Sequence, residues 1–105
     1  MKLPSIVRFA DDVVRDAYSN IENTELSRQI SNAIGAIERD AFSGIQIPKR
    51  LMPKEYFKHG IPNLWKCNLA NGWRLFYFIV EINSQVYSII LEWLPHKDYE
   101  RRFGY

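Results

Sequence analysis

Hydrophobic and polar positions near the N-terminus predict one strand followed by two helices. Residues 5–10 alternate in the manner of a half-buried strand, and the Asp11–Asp12 pair can cap a helix directly after it. A second apolar stripe, over residues 26–37, predicts a helix that has Thr24 as its N-cap and ends near Asp40. Because the break between the two helices is short, we expect them to form an antiparallel hairpin.

Residues 42–62 have the composition of a loop. Glycine and proline recur in this segment, at Gly44, Pro48, Pro53, Gly60 and Pro62. Proline favours the start of a helix and glycine the position just past its end, so one short helical turn is predicted between Pro53 and Gly60. The pattern therefore predicts a loop that holds a single helical turn.

Three aromatic-rich segments in the second half of the chain predict an antiparallel meander. They span Asn63–Ala70, Trp73–Ile82 and Gln85–Leu94, and they are separated by turns at Asn71-Gly72 and Asn83-Ser84. The expected fold is α+β: an N-terminal strand, a helix hairpin that covers one face of the sheet, three antiparallel strands and a short polar C-terminal tail.

The length of the Asn71-Gly72 turn determines which side chains share a face of the sheet. A two-residue loop places Arg74 opposite Leu69, Phe76 opposite Cys67 and Phe78 opposite Trp65, all on one side. Lys66 then lies on the other side. A bulge at the turn would exchange these assignments, and the mixed composition of both sides leaves open which of them the helices cover.

Composition indicates one small domain, residues 1–105. The chain is 47% hydrophobic, which suits a single core at this length. Its one cysteine, Cys67, cannot form an internal disulfide, and no secretory signal is readable at the N-terminus, so we expect a reduced, cytoplasmic setting. The apolar runs are too short for a transmembrane helix, which needs about 20 apolar residues, so no membrane partner is expected.

The charge is unevenly distributed along the chain. Residues 1–42 hold five Lys/Arg and seven Asp/Glu, whereas residues 43–105 hold nine Lys/Arg and five Asp/Glu. The second part is therefore net positive, which permits binding to an anion such as nucleic acid without requiring it. No histidine and cysteine spacing typical of a metal site is present, and no cofactor is expected.

Candidate chemistry is concentrated in the last two strands and the tail. Arg74 can clamp a phosphate, or it can extend to solvent or pair with a glutamate. His96 can donate or accept a proton as a general acid or base, or it can be an ordinary surface histidine. Tyr99 can assist His96 or pack the tail against the sheet. Such groups suit chemistry on a phosphodiester.

The order of elements and two short segments of this chain resemble the RelE/ParE superfamily of toxins from type II toxin-antitoxin systems. The order of elements is similar, and Leu64-Trp65 followed by Arg74–Tyr77 resembles the RelE and YoeB branch. In that branch a His or Tyr near the C-terminus completes the site, and His96 and Tyr99 occupy the corresponding region here. The resemblance implies a β-α-α-β-β-β fold with Arg74, His96 and Tyr99 as catalytic residues.

The resemblance also implies an activity and partners. RelE and YoeB cut messenger RNA, usually in the ribosomal A site, by activating a ribose 2′-hydroxyl against the neighbouring phosphate, and a cognate antitoxin neutralises them. Two alternatives remain: a ParE-like inhibitor of DNA gyrase, and a non-toxic interaction domain of the same fold. RelE carries lysines beside its strand arginine, whereas the predicted register places Trp65 and Cys67 there. Cations that bind RNA are therefore expected mainly from the loop, at Lys49, Lys54 and Lys58, and from the tail, at Arg101 and Arg102. Lys66 on the strand is a further candidate.

Overall fold

The N-terminal strand and two helices form as the pattern predicts. In the computed structural model, which describes residues 1–104, β1 spans Ile6–Phe9, α1 spans Asp12–Ser19 and α2 spans Thr24–Arg39. Asp11 caps α1, as expected, because its carboxylate accepts a hydrogen bond from a backbone amide of the first turn at 2.9 Å. The N-cap predicted for α2 was wrong by one residue, since Asn23 caps that helix.

The segment predicted as a loop contains a strand as well as the expected helical turn. Helix α3 spans Lys54–Lys58, between Pro53 and Gly60 as predicted. Strand β2, Ile45–Ile47, was missed. It pairs antiparallel with the strand Leu64–Asn68, here called β3, at the edge of the sheet. A strand of three residues is too short for the alternation of its side chains to be read from sequence.

The predicted meander is present. The residues that were predicted to form a short polar tail instead form a helix. β3 is followed by β4, Arg74–Ile82, and β5, Gln85–Leu94. Residues His96–Phe103 then form a helix, α4, which starts after Pro95 and ends at Gly104, whose φ is 75°. The five strands form one mixed sheet in the order β1-β5-β4-β3-β2, with β1 parallel to β5 and the other pairs antiparallel.

The turn between β3 and β4 has three residues, Ala70–Gly72, so the register predicted from a two-residue loop is wrong. Asn71 and Gly72 both adopt positive φ, at 61° and 80°. The longer turn pairs Asn68 with Arg74 and Lys66 with Phe76. Because paired residues point to the same face, Lys66 and Arg74 share one side of the sheet.

The sheet separates two hydrophobic clusters. Helices α1 and α2 cover one face, where Leu26, Ile30 and Ile37 pack against Leu75, Tyr77 and Ile90 of the strands. Helices α3 and α4 cover the other face, where Tyr56 and Tyr99 pack against Leu64 and Phe76. The first pair of helices therefore covers the side that carries Leu75 and Tyr77, a choice that the sequence left open. No helix within residues 1–104 has the length and apolar character needed to cross a bilayer.

Cys67 lies on the face covered by α1 and α2, and burial raises the pKa of its thiol to about 11. Because the folded protein holds the thiol proton more tightly than the unfolded chain, the associated stability is present below pH 9 and is lost as the pH rises towards 11. We expect the free energy of unfolding to fall across this range by up to about 1.4 kcal/mol per pH unit more than in Cys67→Ala. Urea unfolding of both proteins at several pH values measures the difference, and identical pH dependence would contradict it.

Candidate functional site

Two cations converge on one aromatic ring at the end of the sheet nearest the β3–β4 turn. Lys66 Nζ donates a hydrogen bond of 3.0 Å to the Tyr99 hydroxyl and lies 5.0 Å from the centre of the Tyr99 ring. The guanidinium carbon of Arg74 lies 5.0 Å from the same ring centre. Both distances suit cation–π interactions. The structure therefore brings together Lys66, Arg74 and Tyr99, three of the site residues named from the sequence.

Arg74 has binding capacity that residues 1–104 do not use. One of its terminal nitrogens donates to the Trp73 carbonyl oxygen at 3.2 Å, but its Nε is buried and has no hydrogen-bond partner among the described residues. Neither Arg74 nor Lys66 forms an ion pair within that part of the chain. A buried donor without a partner is costly, and an anion that accepts from it would remove that cost.

Tyr99 forms the base of the site. Only 6% of the residue is exposed, and its ring stacks on Phe76 at 6.0 Å and contacts Phe103 at 5.0 Å. Phe76 is itself fully buried in the strand below. Tyr99 therefore packs α4 against the sheet, which was one of its two interpretations from sequence, and it also places its hydroxyl and ring beside the cations.

His96 lies at the start of α4, three residues before Tyr99. A side chain added at Gly72 would meet the His96 β-carbon at 2.8 Å, so the first turn of α4 contacts the β3–β4 turn. The imidazole is more than half exposed, and its Nε2 lies 3.2 Å from Oε1 of Glu100 on the next helical turn. His96 thus belongs to the same end of the same sheet face as Arg74, with a carboxylate that can orient its ring.

Comparison with known proteins identifies no relative. No protein-family model, curated protein or solved structure matches this chain. The evidence for a site is therefore the geometry of the side chains themselves. Within residues 1–104, no cluster of three or more histidine, cysteine or acidic side chains could hold a metal ion.

The other predicted RNA-binding cations lie outside this cluster. Lys49, Lys54 and Lys58 are exposed in the segment that leads into and through α3. Arg101 is exposed on α4 and lies 3.6 Å from a carboxylate oxygen of Asp98. These positions are compatible with contact to an extended ligand. Within residues 1–104, none of the four forms a hydrogen bond or a cation–π interaction with Tyr99.

Arg102 belongs to a network that the sequence did not reveal. Its Nη1 donates to Glu92 at 2.9 Å and to the Tyr56 hydroxyl at 3.2 Å, and Tyr56 donates to the same Glu92 oxygen at 2.7 Å. Burial, together with the bond to Glu92, holds the pKa of Tyr56 well above its usual value. These residues line a pocket of about 370 Å³. The three groups come from α4, β5 and α3, so no local motif predicts the network.

Proposed function

We propose that this protein is an endoribonuclease of the RelE and YoeB type, the toxin of a type II toxin-antitoxin system. It cleaves messenger RNA at the ribosome, in the cytoplasm, by metal-independent attack of a ribose 2′-hydroxyl on the adjacent phosphate. The observation that carries the proposal is the pair of cations, Lys66 and Arg74, over the Tyr99 ring. The corrected register supplies a strand lysine beside the strand arginine, a feature that the RelE resemblance calls for.

The scissile phosphate binds where Lys66 and Arg74 converge. Arg74 presents its remaining terminal N–H groups to the non-bridging oxygens, and the Lys66 ammonium adds a second positive charge. Negative charge on these oxygens increases as the 2′-oxygen attacks, so fixed cations stabilise the transition state more than the bound substrate. Tyr99 holds both cations in place and so prepares the site before RNA binds.

His96 supplies the proton that the departing oxygen needs. The 2′-oxygen forms a bond to phosphorus, the bond from phosphorus to the 5′-oxygen breaks, and a 2′,3′-cyclic phosphate and a 5′-hydroxyl result. Nε2 of His96 faces Glu100 at 3.2 Å, so we assign the Nδ1 proton of the protonated ring to the 5′-oxygen, and the 2′-hydroxyl proton passes to solvent. The cognate antitoxin inhibits the enzyme by covering this basic face with an extended or helical segment that orders on binding.

Replacing His96 tests this assignment. We expect His96→Ala to slow cleavage of a messenger RNA programmed into ribosomes by about 10²- to 10⁴-fold, because the leaving oxygen then departs without a positioned acid. His59→Ala is the matched control, since His59 is also exposed but ends α3, and its cleavage rate should stay within about twofold of the wild-type value. Wild-type rates in His96→Ala, with the fold intact by circular dichroism, would remove His96 from the mechanism.

A further inference from the structure

Helix α3 presents an exposed aromatic ring beside two lysines. Lys54 lies three residues before Phe57 and four before Lys58, so the Lys54 side chain neighbours both of them on the helix surface. The neighbouring Tyr56 points the other way and is only 4% exposed, whereas Phe57 remains 49% exposed. The outer side of α3 therefore carries an exposed ring and two lysines, whereas its inner side packs against the rest of the protein.

The turn before α3 extends this surface. Lys49, Arg50 and Leu51 form one helical turn, and all three are exposed. We call the exposed residues of this turn and of α3 the basic strip; they are Lys49, Arg50, Leu51, Lys54, Phe57 and Lys58. The one carboxylate in the segment, Glu55, lies 3.5 Å from Arg102. None of the four cations of the basic strip forms an ion pair within residues 1–104.

The basic strip lies on the same sheet face as the candidate site. Tyr56 anchors α3 by contacts with Phe76 and Phe103, the same rings that support Tyr99. A polyanion held at Lys66 and Arg74 can therefore continue over this face without crossing the sheet. Unpaired bases offer flat rings to an exposed aromatic, and the phosphates that flank a base suit cations beside that aromatic.

We propose that the basic strip binds single-stranded nucleic acid beyond the cleavage site, with a base stacked on Phe57 and phosphates held by Lys54 and Lys58. This inference deepens the proposed function and rests on its RNA substrate. It adds Phe57, which the sequence did not single out, as a residue that holds the strand flanking the scissile phosphate. The lysines alone would give attraction to any polyanion, whereas the ring requires an unpaired base.

The first test measures the affinity of a fluorescent single-stranded oligodeoxythymidine of about twelve nucleotides, which has no 2′-hydroxyl and cannot be cleaved. We expect Phe57→Ala to weaken binding by about 5- to 100-fold and Phe57→Trp to retain it, because stacking needs only the ring. Phe42→Ala is the matched control: Phe42 is 48% exposed but contacts Trp65 on the other sheet face. Its affinity should equal that of the wild type.

The second test uses the salt dependence of the same affinity. Replacing Lys54 and Lys58 together by glutamine should reduce the slope of log K against log salt by about 1.4, since each contact with a single strand contributes about 0.7. The matched control replaces Lys2 and Arg8, exposed cations at the N-terminus, and should leave the slope unchanged. Unchanged affinity in Phe57→Ala, or an unchanged slope in the lysine variant, would overturn the inference.

Two further outcomes separate the inference from its alternatives. Binding to phosphatidylglycerol vesicles without binding to the oligonucleotide would overturn it in favour of a membrane surface. A wild-type protein that cleaves no RNA but binds the oligonucleotide in a Phe57-dependent manner would remove the nuclease proposal and leave the basic strip as a nucleic-acid site. These outcomes therefore distinguish failure of the nuclease proposal from failure of the basic-strip proposal.

Discussion

Replacing Arg74 by alanine is expected to slow RNA cleavage by about 10²- to 10³-fold, the effect of removing one fixed donor from a charged transition state. Among the described residues, the Arg74 guanidinium has a buried donor without a hydrogen-bond partner, and it shares the Tyr99 ring with a second cation, Lys66. Single-turnover cleavage of a messenger RNA on ribosomes measures the effect. Arg74→Lys should recover only part of the rate, because an ammonium cannot clamp two oxygens in one plane.

The Arg74→Ala experiment has a matched control, and other results would favour the alternative functions. Arg8→Ala removes an exposed arginine from β1 and should leave the cleavage rate unchanged. If Arg74→Ala and His96→Ala cleave RNA at the wild-type rate, the catalytic assignment is wrong. Toxicity on induction without RNA cleavage, accompanied by arrest of gyrase, would favour the ParE-like alternative. Harmless expression without any partner would favour an interaction domain that is not toxic.

The residues of the candidate site were predictable from the sequence, but their arrangement was not. Arg74, His96, Tyr99 and Lys66 were each named from residue type and from the RelE resemblance. Whether Lys66 and Arg74 share a face depends on one residue in the β3–β4 turn. Asn-Gly is favourable for both two-residue and longer turns because both residues accept positive φ. Composition of the turn therefore could not determine the register.

The missed elements have a different cause. The β2 strand is too short for periodicity to be detected, and its pairing with β3 is a tertiary event. Helix α4 begins with polar residues, and its inward positions, Tyr99 and Phe103, are recognisable only once Phe76 is known to lie beneath them. The contacts of Arg102 with Glu92 and Tyr56 likewise join residues distant in sequence. Packing determined these features, and local sequence did not.

Replacing Phe76 by alanine is expected to lower the free energy of unfolding by about 3–5 kcal/mol, the usual cost of removing a buried phenyl ring. Phe76 is fully buried and contacts three aromatic rings, those of Tyr56, Tyr99 and Phe103, so it joins α3 and α4 to the sheet. This loss is a large part of the stability of a domain of this size, which is about 5–15 kcal/mol in total. Urea unfolding followed by far-UV circular dichroism measures it.

The matched control for Phe76→Ala is again Phe42→Ala, because Phe42 is about half exposed and should cost less than about 1 kcal/mol. Loss of Phe76 also removes the support beneath Tyr99, and Tyr99 holds both Lys66 and Arg74. The fraction of Phe76→Ala that remains folded should therefore bind the oligonucleotide more weakly than wild type. A loss of stability below 1 kcal/mol would show that α3 and α4 are held by other contacts. The Tyr99 platform would then not depend on the strand beneath it.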